Sequence, residues 1–176
     1  MKIIKKILIV LAVLVGILLI AALFISKDYA VEKQITINKP KAEIFNYVKY
    51  LKNQNEYSKW AGLDTAMKKT FTGTDATPGF IAGWESKNKK VGKGAQEIKK
   101  INASRIDYEL RFEEPMKDVA DAFMSTDSIA PEKTLVKWQI SGHMKYPFNI
   151  MGLFMNKMIG GDLEIGLANL KKLQEK

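Results

Sequence analysis

The stretch Phe148–Glu175, FNIMGLFMNKMIGGDLEIGLANLKKLQE, carries the longest helical pattern outside the N-terminal segment, and the rest of the chain has to be read around it. Winding it at the 3.6-residue helical period puts Phe148, Met151, Met155, Ile159, Leu163, Leu167, Leu170 and Leu173 on one broad stripe. Such a stripe needs an apolar partner. From Asp162 onward the opposite face is polar, with Glu164, Lys171, Gln174 and Glu175, as on a helix laid along a sheet. From Phe148 to Ile159 it is not polar, because Ile150, Leu153, Phe154 and Met158 point away from the stripe. Gly160 and Gly161 separate the two halves, and a glycine pair inside a helical pattern predicts a hinge there.

Working outward, the N-terminal end is the one other long apolar segment. Ile7–Ile25 contains no polar residue and as a helix reaches about 28 Å, close to the ~30 Å hydrocarbon core of a bilayer. Lys2, Lys5 and Lys6 precede it, so the positive-inside tendency keeps the N-terminus cytoplasmic and sends the chain beyond Lys27 to the periplasmic or extracellular side. A cleaved signal peptide is the competing reading; its apolar region is usually shorter and ends in a small-x-small site, where this chain has Phe24, Ile25 and Lys27. The expectation is therefore a membrane anchor over residues 1–28, with the transmembrane helix at about 7–25, followed by a single domain over 29–176.

Between these ends the chain reads as short strands. Tyr29–Ile37 places Val31, Ile35 and Ile37 on one face, and Asn38 and Pro40 then start a short helix with Ala42, Ile44, Phe45 and Val48 on its apolar side. A second short helical piece runs from Leu51 to Trp60. Five more strands are predicted over 65–72, 80–86, 91–101, 117–126 and 134–144. The clearest strand of all is Arg105–Phe112, where Ile106, Tyr108, Leu110 and Phe112 alternate with Arg105, Asp107, Glu109 and Arg111. Asp121 is phased outward, because burying Ala120, Ala122 and Met124 keeps its carboxylate in water. The fold class that follows is α+β, with an antiparallel sheet of about seven strands curved around the long C-terminal helix.

Several pieces in this order resemble the helix-grip fold of the START and birch-pollen-allergen superfamily, in particular its polyketide-cyclase and lipid-transport (SRPBCC) group. They are Ile35-Thr36-Ile37-Asn38 followed by Pro40 and Ile44-Phe45-Asn46-Tyr47-Val48; Tyr57-Ser58-Lys59-Trp60; Gly79 with Trp84 and Gly92-Lys93-Gly94; Thr134–Trp138; and Gly166-Leu167-Ala168-Asn169-Leu170-Lys171. The resemblance implies a cavity between sheet and helix that holds a hydrophobic or amphipathic small molecule or lipid. Trp60, Trp84 and Trp138 are placed near or facing that interior as rigid walls, Tyr108 and Phe112 on the inward face of their strand, and Met155 and Ile159 on the helix stripe.

The chemistry of the chain narrows the alternatives. A net charge of +9 comes almost wholly from lysine, with only Arg105 and Arg111 to supply the bidentate fork that nucleic-acid readers favour, so no nucleic-acid partner is expected. Zero cysteines and the single His143, phased outward on its strand, offer no zinc-binding set, and no cofactor motif is present. Catalysis by a cyclase- or hydrolase-type enzyme would need an inward Asp121 or Glu97 with a partner. A third reading is a solid-cored interaction module that binds protein or anionic lipid heads through its lysines.

Overall fold

The computed structural model describes residues 2–176, with side chains from Ile3 onward. Helix α1 (Lys2–Phe24) stands at the N-terminus, and only three residues separate it from β1 (Asp28–Ile37). Three short helices follow, α2 (Lys41–Val48), α3 (Gln54–Tyr57) and α4 (Lys59–Leu63), then six strands: β2 (Lys68–Thr72), β3 (Ile81–Glu85), β4 (Lys93–Ile101), β5 (Arg105–Glu114), β6 (Asp118–Ala130) and β7 (Lys133–His143). A 3-10 segment, Phe148–Phe154, leads into α5 (Met155–Gln174). The strands form one antiparallel sheet in the order β1-β7-β6-β5-β4-β3-β2. Strand β1 crosses the sheet to lie beside β7, so consecutive hairpins plus one crossover give the helix-grip fold, with α5 held against the concave face.

The sequence patterns explain the elements. On β5, Ile106, Tyr108 and Leu110 are buried while Arg105, Asp107, Glu109 and Arg111 face outward, as period-2 alternation requires. On β6 the buried set includes Ala120, Ala122 and Met124, and Asp121 is exposed. Phe123 is also buried, from the outer face, because the Arg105 guanidinium lies 3.7 Å over its ring centroid. Polar side chains fix α5 to the sheet: Lys33 pairs with Glu164 at 2.6 Å, Lys171 Nζ donates to the Thr36 carbonyl at 2.8 Å, and Lys59 of α4 pairs with Asp162.

The bounds of three elements need correction. The C-terminal α-helix begins at Met155 and not at Phe148, since the first seven residues wind as a 3-10 helix. A 3-10 turn advances about 120° per residue against 100° for an α-helix, so the apolar stripe drifts by more than a third of a turn over the segment. Phe148 and Met151 are accordingly exposed, and Asn149 takes the buried position. The change of winding thus lies before Met155, and α5 runs without interruption through Gly160 and Gly161. Strand β2 begins only at Lys68, and β6 continues past Thr126 to Ala130.

The strand registers give the sheet two distinct ends. Asp28 pairs with His143, Phe112 with Asp118, Lys93 with Glu85 and with Glu114, and Lys68 with Glu85, so all these strand ends lie together, beside the C-terminus of α1. This is the end that α1 joins, and it is called the anchor end after the sequence expectation for that helix. At the opposite, distal end, Glu175 near the C-terminus of α5 accepts a hydrogen bond from the Asn38 backbone.

Candidate functional site: an aromatic cavity at the anchor end

A cavity of about 450 Å³ lies between α5, the short helices and the concave face of the sheet. Two aromatic corners frame it. Trp138 of β7 meets Trp60 of α4 edge-on at 6.2 Å between ring centroids, and Trp84 of β3 meets Phe112 of β5 edge-on at 6.0 Å. Edge-to-face pairing holds each ring in a fixed orientation, which makes these walls rigid. Met155 and Ile159 close the helix side.

Each corner is set by a glycine that allows the indole to approach backbone. A Cβ at Gly94 would stand 2.6 Å from the Trp84 ring, and one at Gly166 would stand 2.8 Å from the Trp138 ring. The Trp84 indole N–H donates to the Val91 carbonyl at 3.2 Å, which ties it to the β3–β4 connection. Trp138 is further braced by Tyr57, whose ring meets it edge-on at 5.9 Å.

Six of the seven residues expected to line a ligand site therefore come together: Trp60, Trp84, Phe112, Trp138, Met155 and Ile159. Tyr108 does not join them. It is fully buried one step along β5 toward the distal end, where burial pushes its hydroxyl above the ordinary tyrosine range. Leu110, next along the same face, lines the cavity in its place. Glu97 faces outward, where the Arg111 guanidinium (2.6 Å) and Lys99 (3.1 Å) hold its carboxyl below the usual range. Asp121 is exposed on the same outer surface.

Sequence reasoning missed the polar side chains and the methionines of the rim. Gln54, Lys69 and Gln96 line the cavity among the apolar residues, and Asp118 stands at its anchor end near Tyr29. Burial, and secondarily the charge of Asp118, raise the Tyr29 hydroxyl above its ordinary value. Tyr29 also borders a second hollow of about 390 Å³, between Phe24–Ile25 at the end of α1 and Gly152–Leu153 of the 3-10 segment. It is the one residue that lines both spaces. Met116, in the β5–β6 turn, and Met158 of α5 complete the rim, both well exposed.

The C-terminus of α1 is joined to this end of the domain. The Asn149 amide is completely buried and donates to the carbonyls of Ala22 (2.7 Å) and Ile25 (2.8 Å), and the Tyr146 hydroxyl donates to that of Leu19 (3.3 Å). The Met144 N–H donates to the Lys27 carbonyl at 2.7 Å. Apart from Ala22, the helix has almost no buried residues, and over Ile3–Phe24 it is long and apolar enough to cross a membrane.

A sheet curved around a terminal helix with an interior cavity defines the class, a helix-grip domain. Solved structures share it. Norcoclaurine synthase from Thalictrum flavum matches with a TM-score of 0.64 at 10% identity, over 83% of this chain and 92% of that one. Another structure of that enzyme, in complex with dopamine and hydroxybenzaldehyde, matches with a TM-score of 0.63 at 10% identity, over 83% of this chain and 86% of that one. A protein from Thermobifida fusca matches at 15% identity with a TM-score of 0.57, over 82% of this chain and 92% of that one. These likenesses establish the fold. No family model and no curated protein matches the chain.

Proposed function

We propose that this protein is a membrane-anchored SRPBCC-type domain that binds a hydrophobic or amphipathic small molecule, or a lipid, in the cavity at its anchor end. The observation that carries the reading is the aromatic cavity itself. About 450 Å³ bounded by two rigid aromatic corners, Met155 and Ile159 falls within the usual range for small-molecule sites. The polar residues of the lining, Gln54, Asn55, Ser58, Lys69, Lys90, Gln96 and Asp118, suit a ligand that carries a polar group beside its apolar body. Norcoclaurine synthase holds two aromatic molecules within the same fold, which adds support for a ligand of some kind but not for its identity.

The anchor reading is supported by Asn149. The NH2 of its buried amide donates to the Ala22 and Ile25 carbonyls at the end of α1, so cleavage of a signal peptide in that region would remove the acceptors of a fully buried donor. With Lys2, Lys5 and Lys6 ahead of the span, the N-terminus is cytoplasmic and the domain periplasmic or extracellular. Native mass spectrometry of the full chain, extracted in mild detergent from the membrane that made it, tests the ligand. A retained species of small-molecule or lipid mass, lost when Ala122→Phe fills the cavity, supports the reading. A chain that flies at its bare mass from every preparation, and binds no added fatty acid, overturns it.

A further inference from the structure

We propose that the anchor end of the domain is a bilayer-docking surface, seated in the headgroup layer of the membrane that α1 enters, so that the cavity opens toward lipid. The inference rests on the reading of α1 as a membrane span. Given that, the geometry leaves the domain little freedom. Three residues connect α1 to β1, and the bonds from Asn149 and Tyr146 to α1 carbonyls fix the 3-10 segment beside the last turns of the helix. Leu19, which accepts from Tyr146, lies about 7–8 Å below Phe24 along the helix axis. The loop before the 3-10 segment is thereby brought to the depth of the apolar span.

The surface at that depth is apolar where water would ask for polar groups. Phe148 is 65% exposed, Leu153 64%, Phe154 56% and Met158 53%, four large side chains within eleven residues, and Met116 reaches the same end from the β5–β6 turn at 70%. Scattered exposed apolar residues are ordinary, but a contiguous cluster beside a membrane anchor is how interfacial segments are built. Lysines surround it: Lys27, Lys117, Lys145 and Lys157 are exposed close by, and Lys87, Lys89 and Lys90 project from the β3–β4 connection at the same end of the sheet. The acidic groups facing this end are partly engaged, Asp28 with His143 at 2.7 Å, Glu113 with Lys93 at 2.9 Å and Asp64 with the Ser86 hydroxyl at 2.5 Å, while Glu85, Glu114 and Asp118 remain. Lysine around an apolar patch matches an anionic lipid surface, with acyl chains beneath and phosphates above.

The docking also explains the second hollow. It is walled by Phe24, Leu153 and Tyr29, and Tyr29 also lines the larger cavity. A lipid-derived ligand taken up at the docked face would meet Tyr29, the residue that the two spaces share.

Because the chain has no cysteine, single probes can be placed cleanly. Leu14→Cys, Phe154→Cys and Thr74→Cys, each carrying the NBD fluorophore, would be compared in the full chain reconstituted into phosphatidylethanolamine–phosphatidylglycerol nanodiscs. All three positions are exposed, and Thr74 lies at the distal end. Docking predicts that Leu14 and Phe154 are quenched several-fold more by nitroxide-labelled lipid than by aqueous iodide, and Thr74 the reverse. If Leu14 is quenched by lipid while Phe154 responds to iodide, docking is wrong and the anchor stands. If Phe154 is shielded from both quenchers, a protein surface or a second copy covers the patch and docking is again wrong. If Leu14 itself is open to iodide, the anchor reading fails and takes the proposal with it.

Discussion

The two ends of the domain are built from the same strands and the same helix, yet one is solid and the other hollow. At the distal end Ile37, Ile44, Val48, Ile98, Ile106, Met124, Val136, Leu163, Leu167 and Leu170 are all within about one per cent of complete burial. At the anchor end the equivalent inward positions are Trp84, Phe112, Ile140, Met155 and Ile159, which together leave room for a guest. The difference lies in what faces the sheet. Distally, the branched side chains of α2 and α5 fill the space, whereas toward the anchor the inward set is dominated by flat aromatic rings held apart in edge-to-face pairs. A protein pays in stability for unfilled volume, so a hollow maintained by rigid rings next to a fully packed half is where function is to be sought.

The contrast is sharpest for truncation of large side chains. Leu167→Ala, in the solid half, should destabilise the full chain by about 2–5 kcal/mol, through lost transfer energy plus a new cavity. Ile159→Ala, bordering space that already exists, should cost about 1 kcal/mol. Denaturant unfolding in mild detergent measures both, and equal losses would mean that the hollow is filled in solution by the protein's own side chains.

Additions should reverse the order. Gly166→Ala drives a methyl into the Trp138 ring and should cost about 1–3 kcal/mol, while Ala122→Leu, pointing into the cavity, should cost less than about 1 kcal/mol. Loss of fold in the Ala122 variant, with Gly166→Ala tolerated, would invert the comparison. Gly161→Ala meets nothing within 4 Å and should stabilise α5 by up to about 1 kcal/mol, read as a higher unfolding midpoint. Gly160 differs from it, since a Cβ there would meet the Lys33 and Asn156 side chains at 2.8 Å. A hinge at this pair predicts that hydrogen exchange of Met155–Ile159 outpaces that of Leu163–Leu173, and that Gly161→Ala narrows the gap.

The outer face of the sheet offers the smallest effect. Glu97 has its pKa lowered by Arg111 and Lys99, so its contribution is present above the ordinary carboxylate value of 4.5 and is lost as pH falls through the lower, folded value. Replacing Arg111 with Met should flatten the acid limb of a stability–pH profile slightly below pH 4.5, and should leave ligand binding untouched.

How legible all this was depends on how each residue declares its environment. Alternation on β5 was readable because every outward residue from Arg105 to Arg111 is charged and every inward one is apolar. The phase of Asp121 followed from the cost of burying a carboxylate, and Phe112 and Trp138 were placed by strand alternation and Met155 and Ile159 by the helix stripe, whereas Trp60 and Trp84 rested on the family resemblance. The 3-10 segment was not readable, because Phe148–Phe154 is apolar on nearly every side and such a pattern cannot distinguish 120° from 100° per residue. Tyr29, Asp118 and Met116 were missed since they meet only through the pairing of β1 with β7 and β6 with β5. Asn149 gave a faint signal as the one amide in a greasy run, which a search for its missing partners could have used.

The central claim, that the hollow end holds an apolar guest, has a built-in reporter, because all three tryptophans of the chain line the cavity. Titrating the full chain in mild detergent with oleate, and following intrinsic tryptophan fluorescence, measures it directly. A saturable shift at about one ligand per chain is expected, absent in folded Ala122→Phe. No saturable change with oleate or with any phospholipid, in a chain whose circular dichroism confirms the fold, would contradict it.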